Sequence, residues 1–197
     1  GWFDDPLLSS MLDRGEIVMA SYIFHELAHQ QFYLKGDGAF NEAFATAVEE
    51  IGVFDWLHQQ NRSQDAQRYD DWLLQKSIFS EFVKNSRNEF ETLYQQEYDL
   101  DKMQVEKEIK IAEMRRKFEN LSSENKNIVR YSKWMSGPLN NAQLGAISLY
   151  RELVPAFRRI FGICENDFIK FYNYVETIGK LPKELRETTL QTTKICQ

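Results

Sequence analysis

HELAHQQFYLKGDGAFNEAFATAVEE, residues 25–50, is the stretch that decides how this 197-residue chain is read. Residues four apart on an α-helix differ by about 40° and rise about 6 Å, so His25 and His29 share one face. Two imidazoles placed this way can reach a single metal ion, and Glu26 stands beside them as a base rather than a ligand. Lys35-Gly36-Asp37-Gly38 reads as a turn. Helical spacing resumes from about Phe40 to Leu57, with Phe44, Ala45, Ala47, Val48 and Ile51 on the buried side. The turn sends the second helix back antiparallel to the first, which sets Glu42 opposite His29 as a third ligand. Glu49 lies two turns further along the same face and returns toward His25, where a carboxylate can accept the far ring N–H of a ligand histidine. The competing reading of Glu42, Glu49 and Glu50 is a solvated acidic edge. Ala45, an apolar neighbour on that face, favours the ligand reading.

Two histidines and one carboxylate form a zinc site of the catalytic kind, with three protein ligands and one open position. The expected cofactor is therefore one Zn2+ ion held by His25, His29 and Glu42, with Glu26 activating water for hydrolysis. Nitrogen and oxygen ligands also admit other divalent metals.

The rest of the chain is helical in pattern. Glu16 to Tyr33 carries a broad apolar surface from Ile17, Ala20, Tyr22, Phe24, Leu27 and Ala28. Arg62 to Lys84 reads as a helix anchored by Trp72, Leu73, Ile78, Phe79 and Phe82. Residues 87–120 form a charged helical arm with a thin apolar stripe of Phe90, Leu93, Tyr94, Val105, Ile109, Ala112 and Phe118. A short helix and a breaker at Gly137-Pro138 follow. The spacing then predicts a helix from Asn140 to Phe161, kinked or broken at Pro155, and a closing helix from Glu165 to Ile178. Short strands are admitted only near residues 1–8. The expected class is mainly α: one catalytic domain over residues 1–197, with a long charged helical hairpin inside it.

A 43% apolar composition gives a chain of this length a core of its own. The formal charge of −6 argues against a nucleic-acid partner, which needs a concentrated basic face. No apolar run reaches the length of a membrane span. Cys164 and Cys196 either pair or remain two free thiols. The opening GWFDDPLL has no initiating Met and no targeting segment, so the expected catalytic domain is truncated at its N-terminus.

The motif pair resembles the gluzincin peptidases, whose third zinc ligand is the Glu of an N-E-x-[FI]-[AS] segment; NEAFATAVE is similar to that segment in the zinc aminopeptidases. GWFDDPLLSSML, IFHELAHQ, GDGAFNEAFATAVEE and LNNAQLGAISLYRELVPAF together resemble a bacterial family of predicted aminopeptidases. The resemblance spans residues 1 to about 175. It implies a peptide substrate, His25, His29 and Glu42 as metal ligands, Glu26 as general base and Glu49 behind the first histidine. It also implies a longer N-terminus, a cell-envelope or periplasmic location, and contact with a membrane only through a preceding segment. The G-x-M-E-N segment that binds a substrate amine in zinc aminopeptidases does not occur here. The His29-to-Glu42 spacing is shorter than theirs.

Those enzymes stabilise the oxyanion with a downstream Tyr. The candidate is Tyr150, with Tyr131 and Arg151 as rivals and a core tyrosine on an amphipathic helix as the competing reading. His58 reads as a surface residue at a solvated helix end. Asn140 and Asn141 read as caps or as substrate contacts. Asp4 and Asp5 read as a cap or turn, or as a grip on an amine. The alternative to a peptidase is a non-catalytic helical domain that keeps the metal as a staple, or a fragment that binds metal without turnover.

Overall fold

The computed structural model describes residues 15–141, 143–145 and 153–196. These form helices α1 (Glu16–Gln31), α2 (Gly38–Gln59), α3 (Ser63–Tyr94) and α4 (Leu100–Glu124), a 3-10 segment at Lys126–Tyr131, then α5 (Ser132–Ser136), α6 (Val154–Ile163), α7 (Phe168–Gly179) and α8 (Lys183–Thr192). The described residues contain no strand, so the fold is mainly α, as the helical spacing required. The possible strands near residues 1–8 lie outside the described residues. No described helix is long and apolar enough to cross a membrane.

The chain divides into two compact units. Among the described residues the first takes in 15–69 and 153–196, and the second 70–141 and 143–145.

The first unit is built around α2. Its sequence is apolar on nearly every side, the pattern of a helix that others enclose, and Phe40, Ala43, Phe44, Ala45, Ala47, Val48, Val53 and Leu57 are all buried. Phe44 lies within ring contact of Phe32, Phe157, Phe171 and Tyr172. Burying a large apolar side chain such as Phe44 completely stabilises the fold by roughly 1.5–3 kcal/mol. α1 runs antiparallel along α2: His29 meets Glu42, His25 meets Glu49, and Phe24 meets Gly52. A Cβ on Gly52 would stand 2.6 Å from the Phe24 ring, so the missing side chain sets how closely the two helices approach.

α6, α7 and α8 contribute the other part of this core. Pro155 falls in the first turn of α6, where a proline needs no amide hydrogen. α8 was not anticipated, because the apolar spacing of residues 183–192 is sparse, with Leu190 its one fully buried residue. Arg159 holds that helix end by donating to the carbonyls of Leu190 and Thr193. Cys164 and Cys196, whose pairing the sequence left open, form a disulfide with Cα atoms 5.1 Å apart.

In the second unit α3 and α4 enclose Phe79, Val83, Phe90, Leu93, Met114 and Phe118 together with Ile128 and Met135. α3 runs unbroken to Tyr94, where the sequence reading ended one helix near Lys84 and began another at Arg87. Neither Gly nor Pro interrupts that stretch, and the Ser86 hydroxyl is absorbed by donating to the Phe82 carbonyl at 2.9 Å. The break falls at residues 95–99 instead, where Asp99 caps α4 by accepting from the Lys102 amide at 2.8 Å. The apolar stripe on α4 is narrower than its sequence spacing suggested, since Val105 and Ile109 remain exposed.

Candidate metal centre

Gly36 adopts a left-handed φ of +86° in the turn after α1, a conformation that glycine takes without steric cost. Asp37 then caps α2, accepting from the Phe40 amide at 3.1 Å. This places Glu42 in the first turns of α2, against the last turns of α1. Its carboxylate reaches both histidines: Oε2 is 3.4 Å from His25 Nε2, and Oε1 is 3.6 Å from His29 Nε2. One ligand atom from each of the three residues lies within 4.8 Å of the other two.

These separations suit a shared ion. Two atoms each about 2.05 Å from a tetrahedral metal are about 3.3 Å apart. The Glu42–imidazole distances are close to this value and long for hydrogen bonds. The donor set of two imidazole nitrogens and one carboxylate suits a borderline divalent metal. The other ring nitrogen of His29, Nδ1, is buried and has no hydrogen-bond partner among the described residues. The group can hold a metal ion.

Behind the triad, His25 Nδ1 lies 3.2 Å from Glu49 Oε2. A proton on Nδ1 donated to that carboxylate leaves the Nε2 lone pair facing Glu42. Burial works against a charge on His25, but the hydrogen bond and charge of Glu49, with Glu42 and Glu26, outweigh it and raise its pKa above 6.5. His29 moves the other way: burial and then the neighbouring His25 lower it, against the pull of Glu42 and Glu26. Glu26 is exposed and near enough to act electrostatically on both rings.

Glu50 is not part of a solvated edge. It is buried and ion-paired to Arg158 Nη1 of α6 at 3.4 Å. Beside it the Tyr69 hydroxyl meets Ser21 of α1. Burial, with the charges of Glu49 and Glu50, pushes the Tyr69 phenol well above its usual range; the Ser21 hydrogen bond and Arg158 act in the opposite sense.

The sequence reading missed Asn41. It is buried on the inner side of α2, and its amide closes a two-way clamp on the backbone of one loop residue: Oδ1 accepts from the Leu34 amide and Nδ2 donates to the Leu34 carbonyl, both at 2.8 Å. The clamp fixes the connection between the two helices that carry the triad. The signal was available: an amide on the inner face of a helix must find partners, and this one adjoins Glu42.

The other candidates belong to the second unit, to the far end of α2, or to residues outside those described. Tyr150 and Arg151, like Asp4 and Asp5, lie outside them. Tyr131 belongs to the second unit, stacked on Phe79 with ring centroids 3.9 Å apart. Asn140 caps the following turn, accepting from the Gln143 amide at 2.9 Å while Gln143 reciprocates at 3.2 Å. Asn141 accepts from the Tyr94 hydroxyl at 2.9 Å. His58 is exposed, its ring against Phe54.

Fold and site together define a helical protein in which a two-helix hairpin presents two imidazoles and a carboxylate that can hold a metal ion. The chain belongs to the family described as Putative aminopeptidase, whose model matches residues 1–190. Neither a curated protein nor a solved structure matches it.

Proposed function

We propose that this chain is a zinc-dependent peptidase that acts on peptide N-termini, with His25, His29 and Glu42 holding one Zn2+ ion. The observation that carries this reading is the triad itself, with its imidazole–carboxylate separations of 3.4 and 3.6 Å. The family's aminopeptidase description supports it. Zn2+ bound there supplies a Lewis acid for the carbonyl oxygen of the scissile bond and lowers the pKa of water toward about 7.

The chain's own residues do the rest. Glu49 fixes the His25 tautomer by accepting from Nδ1. Glu26, exposed beside both rings, takes the proton from the attacking water and passes it to the leaving amine. Asn41 holds the loop that keeps Glu42 facing the two histidines. The disulfide between Cys164 and Cys196 supports a location outside the reducing cytoplasm, consistent with a cell-envelope enzyme.

The test is metal quantification on the purified chain, paired with hydrolysis of aminoacyl and internally quenched peptides by the zinc-loaded protein. One equivalent of zinc is expected, with release of N-terminal residues. Glu26→Gln should keep the metal and lose turnover by about 10²–10⁴-fold, the range a positioned base supplies. Full activity in Glu26→Gln would overturn the mechanism. Zinc retained by a chain that cleaves no peptide would leave a non-catalytic metal-binding domain.

A further inference from the structure

The segment between the two ligand-bearing helices is extended at Phe32, with φ −150° and ψ 133°. Side chains in extended backbone alternate sides, and here the alternation is enforced from both ends. Phe32 points inward, its ring 5.9 Å from that of Phe40 and 5.7 Å from that of Phe44. It is packed so tightly that a Cβ on Gly179 would stand 2.6 Å from it. Leu34 also packs on the core, and its backbone N–H and C=O are both held by Asn41. Tyr33 between them is thrown outward and is 67% exposed. Its ring lies beside the ligand His29, centroids 6.4 Å apart and planes at 70°.

A large aromatic side chain left in solvent contributes little to folding. Held rigidly, it offers contact area to a ligand at small entropic cost, which is why tyrosines recur as anchors of recognition. Fixed neighbours on both sides and an edge against a metal ligand give Tyr33 that character. We propose that Tyr33 forms one wall of the substrate site and packs its ring on an apolar or aromatic side chain next to the scissile bond. It is a specificity-determining residue for the peptidase reading above, on which this inference rests.

The test is calorimetric binding of tripeptides to the zinc-loaded Glu26→Gln chain, so that no turnover intervenes. The panel is Xaa-Ala-Ala and Ala-Xaa-Ala, with Xaa as Phe, Leu or Gly. At one of the two positions, Phe and Leu should bind about tenfold tighter than Gly. Adding Tyr33→Ala should shrink that difference to within twofold with one zinc still bound, and Tyr33→Phe, which keeps the ring, should restore it. Four results would each overturn the assignment: no side-chain preference in the parent, a preference that survives Tyr33→Ala, a Tyr33→Phe protein as defective as Tyr33→Ala, or loss of zinc on Tyr33→Ala. Hydrolysis of the same panel by the wild-type chain is a separate measurement. Its absence sinks the peptidase reading, while the binding pattern still decides whether Tyr33 recognises side chains.

Discussion

Replacing Asn41 by alanine should damage the metal centre without touching any ligand. The side chain makes two hydrogen bonds of 2.8 Å to the backbone of Leu34, one as acceptor from its N–H and one as donor to its C=O. A hydrogen bond of this kind contributes about 1 kcal/mol net, and a partner left unsatisfied away from water costs more. Asn41 is buried but Leu34 is only half-buried, so water can rescue part of the freed peptide. The expected loss is therefore about 2–3 kcal/mol. Part of it should appear as weaker metal binding, because Leu34 lies in the loop that sets Glu42 against His29. Denaturant unfolding of the metal-free chain measures the first quantity, and competition for zinc with a chromophoric chelator measures the second, where about a tenfold loss is expected. Asn41→Asp separates hydrogen bonding from side-chain volume. It has nearly the same size but faces the Leu34 carbonyl with an oxygen, so it should be no better than alanine. Asn41→Ala within 0.5 kcal/mol of the parent, or Asn41→Asp indistinguishable from it, would refute the clamp.

Glu49→Ala should weaken zinc binding about 10- to 100-fold in the same competition assay, with the helical circular dichroism signal unchanged. Gly52→Ala forces a methyl group toward the Phe24 ring and should lower stability by about 1–3 kcal/mol in denaturant unfolding. Cys196→Ser opens a loop closed over a separation of 32 residues, and the chain-entropy relation gives a loss of about 3.7 kcal/mol, readable as a lower unfolding midpoint than that of the oxidised parent. The Tyr69 phenol is neutral in the fold beyond the pH at which the unfolded chain ionises it. Its contribution should thus be intact below about pH 10 and fall as the pH rises past that point, and Tyr69→Phe should flatten that part of a urea-midpoint profile.

The hairpin was legible because every element of it is local. The turn glycines, the four-residue histidine spacing and the seven-residue carboxylate spacing all act over short distances, and the geometry of an α-helix converts them directly into positions. Glu50 was given no role because spacing along one helix does not reveal what another helix brings to it; Arg158 lies 108 residues away. Asn41 was passed over because its partner is a backbone peptide, which leaves no mark in side-chain patterning. The disulfide and α8 were out of reach for related reasons. Two cysteines do not announce that they meet, and a helix with one fully buried leucine barely registers as periodic. The extent of α3 was hidden by Asn85 and Ser86, polar residues that resemble a break until the serine hydroxyl is seen bonded back to the preceding turn.

The short connection between α1 and α2 has a kinetic consequence. His25, Glu26, His29, Glu42 and Glu49 all lie on one pair of adjacent helices, joined by a loop of only a few residues. Closing so short a loop costs little chain entropy, and contacts between near neighbours in sequence form early in folding. These side chains can thus come together while α6, α7 and α8, more than ninety residues further on, have yet to dock. A chain emerging into a medium that contains zinc would meet the ion with a nearly complete site, and metal capture would then bias the later steps toward the native arrangement.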